Sequence, residues 1–200
     1  MTKQGLSVRA AIAFLAAALL AGASFTSGAE EVRETPHIDV AEQFVDAFYS
    51  FDPEPLGEVL ANAGDSKQDM LFYQGWALGG NYIVMERMPC TSVTDNTVRC
   101  SITVQDDLVL ALGIDFDVTD TFTLTFADDG AIGAVETSSN DPQLYHDARD
   151  WVWENRPERV EQPCNGNSDT ARDPGQCVSN MLAGYREYAR VNALKPRAAK

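Results

Sequence analysis

The spacing of apolar residues changes period twice along this 200-residue chain. From Asp39 to Phe51 the apolar positions Val40, Phe44, Val45, Ala47, Phe48 and Phe51 recur at helical spacing, with Asp39 or Thr35 available to cap the free amides. The stretch Asp52-Pro53-Glu54-Pro55 breaks that helix. Leu56, Val59, Leu60 and Ala63 mark a short second helix closed by Gly64, and Met70, Leu71, Tyr73 and Trp76 mark a third, starting at Asp65 or Ser66. After Gly79-Gly80 the period becomes alternating. Asn81 to Met88 reads as a strand, and Val98, Cys100, Ile102 and Val104 alternate with polar residues as a half-buried strand does. A third strand is predicted over Leu110 to Val118. A hairpin follows, in which Phe122, Leu124 and Phe126 alternate with threonines, Asp128-Asp129-Gly130 turns, and Ile132 to Thr137 returns. The helical period resumes after Pro142 through Leu144, Tyr145, Ala148, Trp151 and Val152, with Pro157 interrupting it. Residues 165–175 predict a loop. A last helix is predicted from about Cys177 to Val191, and 192–200 is expected to be a flexible tail.

Helices and strands in separate runs predict an α+β domain, with N-terminal helices on a curved, mainly antiparallel sheet and a C-terminal helical extension. Residues 1–29 are expected to lie outside it. Lys3 and Arg9 precede an apolar run from Ala10 to Ala23, and small residues end at Ser27-Gly28-Ala29 before Glu30-Glu31, which is what a signal peptidase reads. The run is shorter than the roughly 20 residues that span a bilayer, so cleavage is favoured over a retained anchor. No later stretch is long and apolar enough to span, and the mature chain is expected to be secreted or periplasmic.

Cysteine usage agrees with export. Cys90, Cys100, Cys164 and Cys177 form an even set, which favours two disulfides. Three pairings are open, and spacing suggests 90–100 and 164–177. Cys90 and Cys100 flank the turn-forming Thr94 to Thr97 symmetrically, as a cross-strand bridge in a hairpin requires. Neither pair has the spacing of a zinc knuckle, and no metal is expected. Asn165 to Asp169 alternates oxygen ligands like the start of a calcium loop, but Thr170 and Gln176 replace its glycine and acidic closer.

Thirty acidic residues against fifteen basic ones give a formal net charge of −15. Such a field repels phosphate backbones, so nucleic acid is not an expected partner. It also serves solubility. No phosphate loop, nucleophile triad or His-Glu-x-x-His motif is present, and no cofactor is expected.

The helices over Val40 to Asp52 and Leu56 to Ala63, and above all the hairpin Thr121 to Val135, resemble the nuclear-transport-factor-2-like cone fold, also called SnoaL-like or ketosteroid-isomerase-like. The resemblance covers roughly residues 38–140. The extension 141–191, with its own disulfide, departs from the usual ending of that family. The resemblance implies an apolar pocket between sheet and first helices, in a family holding isomerases, cyclases, dehydratases, hydrolases and non-catalytic modules.

Within that frame His146, beside Tyr145 and Asp147, is a candidate general base, set against an ordinary helix-surface histidine. Asp115, with Asp117, alternates with Ile114, Phe116 and Val118. It is a candidate proton-shuttling acid if that face lines a pocket, and a solvated residue if it does not. Asp106-Asp107 is expected in a turn. Tyr73, Trp76 and Tyr82 flank the helix-to-sheet switch and are candidates to contact a ligand, set against plain core packing. The first functional reading is an exported domain binding a small hydrophobic ligand or a protein partner. The alternative is a cofactor-free enzyme of isomerase, cyclase, dehydratase or hydrolase type, using Asp, Tyr and His. A structural role and a homodimer are left open.

Overall fold

A computed structural model describes residues 36–199, so the expected signal segment lies outside the described residues. The order is helices α1 (Pro36–Tyr49), α2 (Pro53–Val59) and α3 (Asp65–Gly79). Strands β1 (Ile83–Arg87), β2 (Thr91–Thr94) and β3 (Thr97–Gln105) follow, then helix α4 (Asp107–Leu112) and strands β4 (Val118–Phe126) and β5 (Ile132–Ser139). Helices α5 (Gln143–Asn155), α6 (Pro157–Asn165) and α7 (Pro174–Val191) close the chain. The strands form one curved, unclosed antiparallel sheet in the order β1-β3-β4-β5, with β2 beside the far half of β3. The architecture is the α+β fold expected.

Two cores build it. Ala41, Phe44, Val45 and Phe48 of α1 sit at helical spacing and pack, with Leu56 and Leu60, against Ile102 of β3 and Phe122 and Leu124 of β4. Phe122 is the hub, with ring centroids 5.3 Å from Phe44, 5.0 Å from Phe48, 6.4 Å from Tyr49 and 6.2 Å from Tyr73. The second core lies among the later helices. Leu108, Leu112, Val152, Val160, Val178 and Tyr185 are its buried members. Here α7 meets α5 at a glycine: a Cβ on Gly184 would stand 2.4 Å from a Val152 methyl.

Local chemistry fixes the joints. Asp52 caps α2 by accepting from the Glu54 amide at 3.0 Å, and Pro53 opens the helix. Gln74 is buried on α3 and donates through Nε2 to the Ala47 and Phe48 carbonyls at 2.9 and 3.0 Å. It thereby adds to the bonds that the Ala47 and Phe48 carbonyls accept from Ser50 Oγ and the Phe51 amide at the end of α1, and ties the two helices together. Ser66 at the start of α3 accepts from the Val135 amide of β5 at 3.1 Å. Arg87 on β1 pairs with Glu42 and Asp46 of α1.

Both disulfides form as spacing suggested, Cys90 with Cys100 and Cys164 with Cys177. In the hairpin Thr94 faces Thr97 and Thr91 faces Arg99, which brings Cys90 opposite Cys100 with Cα atoms 4.3 Å apart. Closing loops of 10 and 13 residues stabilises the fold by about 3 kcal/mol each in the chain-entropy picture. No helix among the described residues is long and apolar enough to cross a membrane.

The main correction concerns the strand predicted over Leu110 to Val118. Residues 107–112 are a helix, and β4 begins only at Val118. Asp106 caps α4 by accepting from the Leu108 and Val109 amides, both at 2.8 Å, and Gly113 ends it in the left-handed conformation. Leu108, Ala111 and Leu112 then fall on one buried face. A short apolar run fits strand and helix equally well, and the cap decides it. Pro157 starts a further helix instead of only ending one. The segment expected as a free tail lies against α4: the Arg197 amide donates to the Leu110 carbonyl at 2.8 Å, and its guanidinium pairs with Asp117 at 2.7 Å.

Candidate functional site

In β4 the inward positions are 118, 120, 122, 124 and 126. Four are apolar, and the fifth is Asp120, which is 3% exposed. It stands opposite Ile102 of β3 and Ser139 of β5. An aspartate at the core register of a central strand is costly unless it is paired. This one is not fully paired: its Oδ2 is buried without a hydrogen-bond partner, and so is the hydroxyl of Tyr49 on α1. Buried polar atoms left this way call for an explanation in use rather than in packing.

The surroundings are phenolic. Burial pushes the Asp120 carboxyl up to about 6, the nearby hydroxyls of Tyr73, Ser139 and Tyr49 hold it down, and the charge of Asp141 raises it further. Burial likewise raises the phenol of Tyr49, with the Asp120 charge adding to the effect. Tyr73, Tyr82 and Tyr145 are desolvated strongly enough that their titration is pushed well up, yet each residue keeps accessible surface. Beyond Asp120 the sheet ends at β5, where Thr137 and Ser139, opposite Phe122 and Asp120, are exposed.

The scaffold holds these groups in place. Tyr49 ends α1 where Gln74 grips it, and Tyr73 precedes Gln74 on α3. Tyr73 and Tyr82 meet edge to face at 6.4 Å. A side chain at Gly80 would crowd the Tyr82 ring, 3.2 Å away, and Leu108. Two further carboxyls couple to the first. Asp106 is pushed up to about 7 by burial against the pull of its two capping amides, with Asp120 and Asp141 adding repulsion. Asp141 is raised by burial, while Ser139, His146 and Arg149 lower it. The three acids therefore compete for the right to ionise.

The structure brings together some of the residues singled out from sequence. Tyr73 and Tyr82 pack against the first core on the side of Asp120. His146 lies on α5 beside Tyr145, with ring centroids 6.2 Å apart, and its charge reaches Asp141; its Nδ1 is buried without a partner. Trp76 faces the other way, into the second core. Asp115 is exposed in a bend between α4 and β4, outside any strand. Asp117 is taken up by Arg197 and by Gln105, whose Nε2 donates to it at 3.1 Å. His37 stacks on Phe126 at 4.4 Å and hydrogen-bonds the Asp95 carbonyl. Asp120 and Tyr49, the centre of the site, went unmarked in the sequence, although counting back by twos from Phe122 places an aspartate on the apolar face.

Among the described residues no group of three or more His, Cys, Asp or Glu could hold a metal ion. Asn167, in the loop with a calcium-like start, accepts from the Asp169 and Thr170 amides at 2.9 and 2.8 Å, so its oxygen is spent on the turn itself. No family model matches the chain, and no curated protein matches it.

Proposed function

We propose that the protein is an exported domain of the nuclear-transport-factor-2-like type that binds a small, largely apolar molecule in a recess beneath Asp120. One observation carries the reading: a buried carboxyl and a buried phenol beside an apolar wall, Asp120 Oδ2 and Tyr49 Oη, which act on each other without forming a hydrogen bond of good geometry. A ligand hydroxyl placed there would donate to the carboxylate and accept from the phenol. The layout of three helices on a curved sheet supports the family, and the two disulfides support export. If export is right, the denatured mass of the recovered protein falls short of the full chain by residues 1–29 and by four hydrogens; a full-length mass would refute it.

A second reading is favoured by the Asp120 carboxyl itself. At about 6 it exchanges its proton near neutrality, the range an acid–base catalyst needs, and Tyr49 and Tyr73 are placed to donate to an oxygen that gains charge. The two readings part in one experiment. The ketone 2-tetralone is held in deuterated buffer with the protein, and deuterium entry at its α-carbon is followed by NMR. Catalysis predicts exchange at least about 10²-fold above buffer, lost in Asp120→Asn. Exchange at the buffer rate, together with binding that Asp120→Asn abolishes, leaves the protein a binding domain. No exchange and no binding would count against both.

A further inference from the structure

A second cleft lies away from the recess, between α4, the C-terminal half of α7 and the segment that follows it. Its volume of about 540 Å³ lies within the usual range for small-molecule sites. The floor is apolar, formed by Leu110, Ala189 and Leu194, and the rim carries Arg186, Arg190 and Arg197.

The charge of this rim runs against that of the molecule. The chain has a net charge of −15, yet Arg186, Arg190, Lys195, Arg197 and Lys200 fall in its last fifteen residues against a single acid, Glu187. Asp107 is the one acidic residue on the rim, and it accepts from Asn81 at 3.3 Å. Arg197 is held by Asp117, which fixes its guanidinium at the cleft wall, while its Nε is buried without an acceptor. Arg186 and Arg190, both exposed, form no ion pair among the described residues, and Arg190 Nε donates only to the Arg186 carbonyl, at 3.3 Å. In a protein with two acids for every base, guanidinium groups gathered over an apolar floor without an acid in contact are placed to meet an anion.

We infer that this cleft binds an amphipathic monoanion, a carboxylate on an apolar body, with the head on Arg186 and Arg190 and the body on Leu110, Ala189 and Leu194. Guanidinium groups match the planar, two-oxygen geometry of a carboxylate. A single charge suits the surroundings, because the long-range repulsion from the acidic surface grows with each further charge on the ligand. An alkyl or aryl body of modest length fills the volume.

Decanoate is the probe, titrated calorimetrically and by amide NMR shifts into the purified protein, with decanol as the uncharged match. Decanoate is expected to bind at least about tenfold more tightly than decanol and to shift the Ala189 and Leu194 amides. Arg186→Ala/Arg190→Ala, two exposed positions, is expected to weaken it by about tenfold or more, whereas Asp120→Asn leaves it within about twofold. Equal affinity for decanoate and decanol would overturn the inference, as would silence up to about 1 mM. Binding lost in Asp120→Asn but kept in the double arginine variant would also overturn it, by placing the ligand in the recess.

Discussion

Replacing Phe122 by alanine is expected to cost about 4 kcal/mol of folding stability, a large fraction of the roughly 5–15 kcal/mol typical of a domain this size. Phe122 is fully buried and touches Phe44, Phe48 and Tyr49 of α1 and Tyr73 of α3, so two helices lose their common partner on the sheet at once. Neither α1 nor β4 can close the gap alone. Gln74 pins α1 to α3, and β4 is held between β3 and β5. The cavity that remains therefore adds to the transfer loss. Urea unfolding measures the effect. A loss below about 1 kcal/mol would mean that the aromatic layer is not the seat of the first core. The substitution also removes the wall behind Asp120, so ligand binding in the recess should fall along with stability.

Asp120→Asn is expected to act in the opposite direction on stability and to destroy function. The carboxyl moves from 3.8 to about 6 on folding, because burial penalises the charged form. A raised folded value means that the stability contribution is complete below the unfolded value and is lost as pH climbs through about 6. Above that pH the ionised side chain costs the fold roughly 2–3 kcal/mol, at 1.36 kcal/mol for each unit of displacement. Asparagine carries no charge to bury. The variant should therefore be more stable than the parent by about that amount at pH 8, with the gap closing near pH 4. Ligand binding in the recess should drop at least about 10²-fold, since a buried polar contact to a charged group is lost. A stabilising substitution that abolishes function is the mark of a residue retained for its site. Equal stability of the two proteins at pH 8 would contradict the burial argument.

Particular residues show what the sequence made legible. Where a pattern ran over several periods, as from Val40 to Phe51 or from Phe122 to Thr137, the element formed as expected. The symmetry of Cys90 and Cys100 about the turn pointed to that disulfide while three pairings stayed open, and the bridge forms. The strand predicted over 110–118 failed where the five-residue apolar run Leu108 to Leu112 met an alternating tail, and where the deciding feature was the side chain of Asp106 acting as a cap. The same misreading placed Asp115 on a strand and drew attention to it as a candidate acid. Asp120 was legible in principle, since it shares the register of Phe122, Leu124 and Phe126. Threonines at every other position made the strand look complete without it. Tyr49 could not be found this way. It falls on the edge of the apolar face of α1, and only the sheet passing beneath reveals what it faces.

A ligand held at Asp120 requires that this residue's carboxyl be desolvated. Its titration, followed by carboxyl carbon NMR in the folded protein, tests that directly. A midpoint near 6, moving when a ligand occupies the recess, is the result expected. A midpoint at or below the ordinary 3.8 would show a carboxylate that is solvated or fully hydrogen-bonded, and would remove the ground for placing function there.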